Sequence, residues 1–181
     1  MVKKDLHEIV KIPQGINVSK EGDFFIFKNQ KSTIKKKFIN PRIKIDIKNG
    51  EIELFCKSAD KKDKATFQSY IVHLNNIFAG LKEPYKYTLK VCSGHFPMNV
   101  SIVNGVLIVK NFLGEKIPRQ LKLKENVNVK VDGNLIYVES PDKELAGQVA
   151  ADIERVTRRP GFDRRIFQDG IYIIEKAGKE I

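Results

Sequence analysis

The sequence predicts an α+β protein built from two tandem homologous modules, each a small antiparallel β-sheet packed against one α-helix. Three observations predict it: a repeat at fixed offset, alternating apolar strands joined by tight-turn dipeptides, and one helical apolar stripe per repeat. Ile16-Asn17-Val18-Ser19 returns as Met98-Asn99-Val100-Ser101, and Ile26-Phe27-Lys28-Asn29 as Ile108-Val109-Lys110-Asn111, both 82 residues later. Ser58-Ala59-Asp60-Lys61 returns as Ser140-Pro141-Asp142-Lys143 at the same offset. A register kept across several elements is the signature of a duplicated unit. The modules therefore divide as 1–82 and 83–181, with a link at about 81–86 too short to act as a flexible tether.

Each copy begins with an apolar-rich hairpin, over about 16–28 and 98–110, turning at Gly22 and at Asn104-Gly105. An alternating strand follows, with Ile43, Ile45 and Ile47 on one face in the first copy and Val127, Val129 and Val131 in the second. Side chains two apart share a face of a strand. The dipeptides Asn49-Gly50 and Asp132-Gly133 suit two-residue hairpin turns, whose central residues need positive φ. They return the chain as 51–55 and 134–139. Ser58 and Ser140 then offer N-cap oxygens, with Pro141 at a first helical position. The first helix carries Phe67, Tyr70, Ile71, Leu74, Ile77, Phe78 and Leu81 at spacings of three and four. The second carries Ala146, Val149, Ala150, Ile153 and Val156, and Gly80 and Pro160-Gly161 are the expected stops. A last strand closes each copy, 85–91 and 171–175. Both helical stripes read as core.

The chain has 181 residues with 33 Lys+Arg against 22 Asp+Glu, a formal net charge of +11. Such an excess points to a polyanionic partner, most simply RNA or DNA. No segment has the roughly 18 consecutive apolar residues of a spanning helix. The first residues lack the apolar core and small-residue cleavage site of a secretory signal, so a cytoplasmic protein is expected. Cys56 and Cys92 fall in strand-like stretches outside any metal-ligand spacing, as free thiols in a reducing compartment would. No phosphate loop, dinucleotide fingerprint or His-Glu-x-x-His occurs, and His7, His73 and His95 stand far apart. No catalytic residue, metal site, cofactor, membrane or small-molecule substrate is expected. His95, in Gly94-His95-Phe96-Pro97, either contacts RNA or closes a turn.

Charge is unevenly placed. Residues 1–82 hold 17 Lys+Arg against 9 acids, and 83–181 hold 16 against 13. The excess of the first half is lysine scattered through turns, the pattern of a solvated face. Lys35, Lys36 and Lys37 are either phosphate contacts or an edge strand kept soluble by lysine. The arginines differ: five of the seven in the chain, Arg155, Arg158, Arg159, Arg164 and Arg165, lie within eleven residues, offset by Asp163 alone. Guanidinium forks match phosphate oxygens and base edges. A cationic helix C-terminus accounts for Arg155, Arg158 and Arg159 without any ligand. It does not account for Arg164 and Arg165 beyond Pro160-Gly161. Phe162 and Phe167 in that loop either stack on bases or tuck under the helix end.

The combination of His95-Phe96-Pro97-Met98, the run 111–116 (Asn-Phe-Leu-Gly-Glu-Lys), and the run 163–172 followed by Glu175-Lys176 resembles the large-ribosomal-subunit protein L-six family in its archaeal form. The resemblance spans essentially the whole chain, and the run 142–154 has an archaeal look. It implies a non-enzymatic, ribosome-bound protein on large-subunit rRNA near the sarcin–ricin loop and stalk base. Its partners there would be neighbouring ribosomal proteins, with translation factors docking nearby. RNA contact in the family is made mainly by the C-terminal module. That implies Arg155, Arg158, Arg159, Gly161, Arg164, Arg165, Gly170, Tyr172 and Lys176, with Lys110, Asn111, Lys116 and Arg119. Departures lie in the first module. Lys28-Asn29-Gln30-Lys31-Ser32 stands where relatives usually have Lys-Gly-Pro-Lys-Gly, and the helix end 74–80 lacks their basic residues. A free-standing binder of structured RNA or duplex is the alternative.

Overall fold

A computed structural model describes residues 4–48, 50–163 and 165–181. Asn49 of the expected Asn-Gly turn, Arg164 of the expected site and the first three residues lie outside the described residues. The chain forms two compact units, Met1–Glu83 and Pro84–Ile181.

The first unit runs β1 (Lys4–Lys11), β2 (Asn17–Glu21), β3 (Phe24–Lys28), β4 (Thr33–Lys37), β5 (Ile43–Lys48), β6 (Glu51–Ala59) and α1 (Lys61–Lys82). Its strands form two antiparallel sheets, ordered β1-β6-β5 and β2-β3-β4. Alternation decides which faces are buried: Ile52, Leu54 and Cys56 of β6 and Phe25 and Phe27 of β3 point inward. Phe67, Leu74, Ile77, Phe78 and Leu81 of α1 join the same core, with Tyr70 and Ile71 at its margin.

The second unit runs β7 (Tyr85–Cys92), β8 (Asn99–Val103), β9 (Val106–Lys110), a 3-10 turn (Phe112–Gly114), β10 (Arg119–Lys122), β11 (Asn128–Asp132), β12 (Leu135–Ser140), α2 (Lys143–Val156), β13 (Gly170–Lys176) and β14 (Lys179–Glu180). The sheets are ordered β11-β12-β7-β13-β14 and β10-β9-β8. Leu89, Leu107, Ile136, Val138, Ala146, Ala150 and Ile153 have no solvent exposure, so α2 is sealed against the larger sheet. Removing any of the larger aliphatics would cost about 2–5 kcal/mol.

The α+β class and antiparallel pairing hold, and three expectations are corrected. Residues 85–91 were expected to close the first copy. Instead β7 opens the second unit, pairing β12 on one edge and β13 on the other. Its equivalent in the first unit is β1, paired with β6. Among the described residues the first unit has no counterpart of β13 and β14, and the arginine-rich segment is the connection that leads into them.

The helix caps are Asp60 and Asp142, not Ser58 and Ser140. Asp60 and Asp63 form a reciprocal capping box, and Arg42 binds Asp63 at 2.6 Å. Ser58 still belongs to β6, its N–H donating to Asp5. Ser140 Oγ donates to the carbonyl of Asn126 and accepts from Asp142 N, so it anchors the residue that caps, and Pro141 precedes the cap. Gly80 does not stop α1. The helix runs to Lys82, and Glu83 is extended because it precedes Pro84.

Candidate nucleic-acid interface

The segment joining α2 to β13 is fixed at three points. At the first, Arg119 of β10 serves the exposed carbonyls of the helix end. Its Nη1 donates to Val156 O at 2.7 Å and Arg158 O at 3.2 Å. Its Nε and Nη2 grip Glu115 at 2.8 and 2.6 Å, and its guanidinium lies 4.4 Å from the centre of the buried Phe112 ring. The hydrogen bond from Arg119 holds the Glu115 carboxyl below its ordinary pKa despite burial, aided by the charges of Arg119 and Arg159. Lysine could not make this set of contacts, since it lacks the planar fork.

Thr157 is the second point. The buried hydroxyl donates to Glu154 O at 3.2 Å and accepts from Ile171 N at 2.9 Å, tying the helix terminus to the start of β13.

Asp169, also buried, is the third. Its Oδ1 accepts from Gly94 N at 2.8 Å and His95 N at 3.0 Å, and its Oδ2 stands 2.5 Å from His95 Nδ1. Burial pushes the Asp169 pKa up, but these hydrogen bonds and the His95 interaction outweigh it and leave the carboxyl below its ordinary value. His95 in turn stacks on Phe167 with ring centres 5.0 Å apart. Phe167 meets Phe162 edge-on at 4.8 Å, and Arg159 lies 4.2 Å from the Phe162 ring centre. A buried carboxylate thus positions an arginine through a column of three rings. His95 lies in a bend and ties it to Asp169, and Phe162 and Phe167 pack on each other while staying partly exposed.

Within the loop, Asp163 O accepts from Ile166 N and Phe167 N at 3.1 and 2.8 Å, making one tight turn. Its side chain accepts from Arg165 N at 2.9 Å and pairs with the Arg165 guanidinium at 2.9 Å. Those bonds lower the Asp163 pKa and raise that of Arg165. The Arg165 side chain is nevertheless 90% exposed, so it presents a pre-oriented charge to solvent.

The fold brings Arg155, Arg158, Arg159 and Tyr172 to the wall of one cleft of about 350 Å³ between the helix end and the 3-10 turn. Arg155 leans on Asp152 at 3.3 Å, yet its side chain stays 72% exposed. Gly161, at φ +83°, lets the loop reverse beside it. Gly170 opens β13 under the Tyr172 ring, where an added Cβ would sit 3.2 Å from the phenol oxygen. Lys176 is exposed at the other end of β13, six residues or roughly 20 Å away. Lys110 ends β9 and Lys116 follows the 3-10 turn, both exposed. Asn111 is left-handed and its side-chain amide donates to Pro97 O at 3.0 Å. Asn111 and Arg119 thus help to hold the frame.

Sequence reading missed Thr157, Asp169, Glu115 and Phe112. For Asp169 a signal existed, an acid immediately before the glycine that opens a strand, but its partners lie 74 and 75 residues away. In the first unit, β4 is an edge strand whose Lys37 pairs with Asp23 at 2.7 Å, which favours the solubility reading of its lysines. Among the described residues there is no His, Cys, Asp and Glu cluster able to hold a metal, and no helix long and apolar enough to cross a membrane.

Comparison with known proteins bears directly on this interface. The family model of ribosomal protein L6 matches residues 96–170, from the His95 turn to the start of β13. The large ribosomal subunit protein uL6 of Methanosarcina mazei is 41% identical over 96% of this chain and 99% of its own. That of Methanococcus vannielii is 38% identical over 96% of both. With identity of this level along nearly the full length of both relatives, the chain belongs to the large ribosomal subunit protein uL6 family, in its archaeal type.

Proposed function

We propose that this chain is a structural, non-catalytic constituent of the large ribosomal subunit whose second unit grips large-subunit rRNA with the α2–β13 connection. In the finer reading, the site lies near the sarcin–ricin loop and stalk base, where it supports the region that translation factors use. The observation that carries the reading is the placement of four exposed arginines, Arg155, Arg158, Arg159 and Arg165, on a connection pinned by Arg119, Thr157 and Asp169.

Phosphates repel one another, so folded RNA favours a surface that already holds its cations in place. Arg155, Arg158, Arg159 and Arg165 would each neutralise a phosphate and release condensed counterions, a gain that weakens as salt rises. Their rigid setting adds shape recognition, since A-form RNA is read through its backbone and shallow groove more than through base edges. Lys110, Lys116 and Lys176 extend the cationic surface as hydrated point charges. Glu115 and Asp163 do not cancel it, because each is already paired with an arginine.

Footprinting the full chain on deproteinised archaeal large-subunit rRNA tests the proposal. A single compact protected region at the sarcin–ricin loop and stalk base is expected. Equal affinity for generic duplex RNA would instead favour a free-standing nucleic-acid binder.

A further inference from the structure

We propose that the cleft beside the arginine loop holds one unstacked nucleotide of the bound RNA, with its base inside and its phosphate on the arginine rim. The inference rests on the reading of that loop as an RNA grip and goes beyond it to the chemical unit that enters. The cleft is about 350 Å³, at the lower end of the roughly 300–1,000 Å³ of small-ligand sites. A duplex cannot enter such a recess, whereas an extruded base can.

Its lining divides by chemistry. Arg155, Arg158 and Arg159 stand where α2 gives way to the loop, and all three are exposed. Deeper in, Leu113, Ala151 and Tyr172 offer apolar and aromatic surface suited to the face of a base. The wall also carries Glu154, whose Oε1 accepts from Ile173 N at 3.3 Å and is thereby held in place. A carboxylate inside a cationic rim repels phosphate from the interior. It accepts well from the amino or ring N–H of a base, the preference by which carboxylates read base edges. Of the other polar groups of the lining, Thr157 and Asp169 already hold protein partners. The charge order is therefore phosphate outside and base inside.

Backbone geometry supplies an independent observation. Leu113, on the wall, adopts φ 48° and ψ 36°, a left-handed conformation costly for a residue with a branched apolar side chain. Asn111 at φ 59° and Gly114 at φ +77° are also left-handed, but Asn and Gly tolerate that region, so the cost falls on Leu113. Strain of this kind persists where the surroundings enforce it, and it gathers at ligand-holding walls.

The test compares wild type, Ala151→Phe and Ala151→Ser, each as the full chain on large-subunit rRNA. Phe fills the cleft from the helix side while every arginine stays in the sequence, and Ser leaves it open. Near-ultraviolet circular dichroism establishes that each variant is folded. Hydroxyl-radical cleavage reads the RNA backbone, and base-edge chemical probes read individual bases. The expected result is one unpaired base protected by wild type and Ala151→Ser but left reactive by Ala151→Phe. That variant should keep the backbone footprint while binding about tenfold more weakly. If Ala151→Phe matches wild type in base protection and affinity, the proposal is overturned. It is equally overturned if a folded Ala151→Phe loses the entire backbone footprint, because the cleft would then seat backbone rather than a base. Wild type giving no backbone footprint would instead refute the RNA grip itself. Titration with adenosine, guanosine, cytidine and uridine monophosphates should show no binding tighter than millimolar. Micromolar binding of any of them would assign the cleft to a soluble nucleotide and overturn the RNA assignment.

Discussion

Asp169 and His95, 74 residues apart in the chain, meet with Oδ2 and Nδ1 at 2.5 Å, and the pair carries the ring column on which Arg159 lies. Asp169→Ala removes a buried acceptor from Gly94 N, His95 N and the imidazole together. A hydrogen bond to a charged group is worth about 1.5–3 kcal/mol, so the variant should lose roughly 3 kcal/mol or more in urea denaturation of the second unit. Affinity for rRNA should fall with it, because Arg159 loses its support, while the number of arginines is unchanged.

The same carboxyl fixes a pH dependence. Its folded pKa lies below the ordinary Asp value near 3.8, so its contribution to stability is present above that value and is lost as pH falls through the folded pKa. Denaturation midpoints of wild type and Asp169→Asn should therefore differ at about pH 5 and draw together as the pH falls below about 4. A gap that widens below about pH 4 would contradict the assignment.

Arg119 separates support from contact. Its guanidinium is spent on Glu115, Val156 O, Arg158 O and Phe112. Arg119→Lys should destabilise the second unit by about 1–2 kcal/mol, since lysine cannot fork or stack in the same way. The salt dependence of rRNA binding should keep its wild-type slope. A slope flatter by about one unit would show that Arg119 itself meets a phosphate.

In the first unit, Asp60→Ala removes the side-chain cap of α1 and strands the Arg42–Asp63 contact beside it. The cost should be about 1 kcal/mol in thermal or urea unfolding of that unit. Binding to rRNA should be untouched. A parallel loss of affinity would move part of the interface into the first unit.

Most of the architecture was legible because it is written in local signals. The Asn104-Gly105 turn, the alternation through Ile43–Ile47 and the stripe from Phe67 to Leu81 each announce their element within a few residues. The Asp132-Gly133 turn is displaced by one residue, centring on Gly133-Asn134, because Asp132 still pairs with Leu135. The errors came from long-range pairing. Nothing local tells that Tyr85–Cys92 joins β12 and β13 rather than closing the copy before it. Nor could Ser58 be told from Asp60 as a cap until β6 was seen to extend through Ala59. The strands β1 and β10 went unread, and β4 was only one of two readings of its lysines, because most of their residues are charged or polar. At the interface, the arginine cluster was visible and its scaffold was not. Asp169, Thr157 and Arg119 act on backbone groups 14 to 75 residues away, and their roles appear only once β7, β10, α2 and β13 converge.

The salt dependence of rRNA affinity, measured side by side for two triple variants, tests the central claim most directly. Arg158→Ala/Arg159→Ala/Arg165→Ala should weaken binding by a few kcal/mol and flatten the log–log salt slope by about one unit for each phosphate left without its arginine. Lys35→Ala/Lys36→Ala/Lys37→Ala, on the edge strand of the first unit, should change both far less. A larger drop in affinity for the lysine variant than for the arginine variant would contradict the account and move the interface to the first unit.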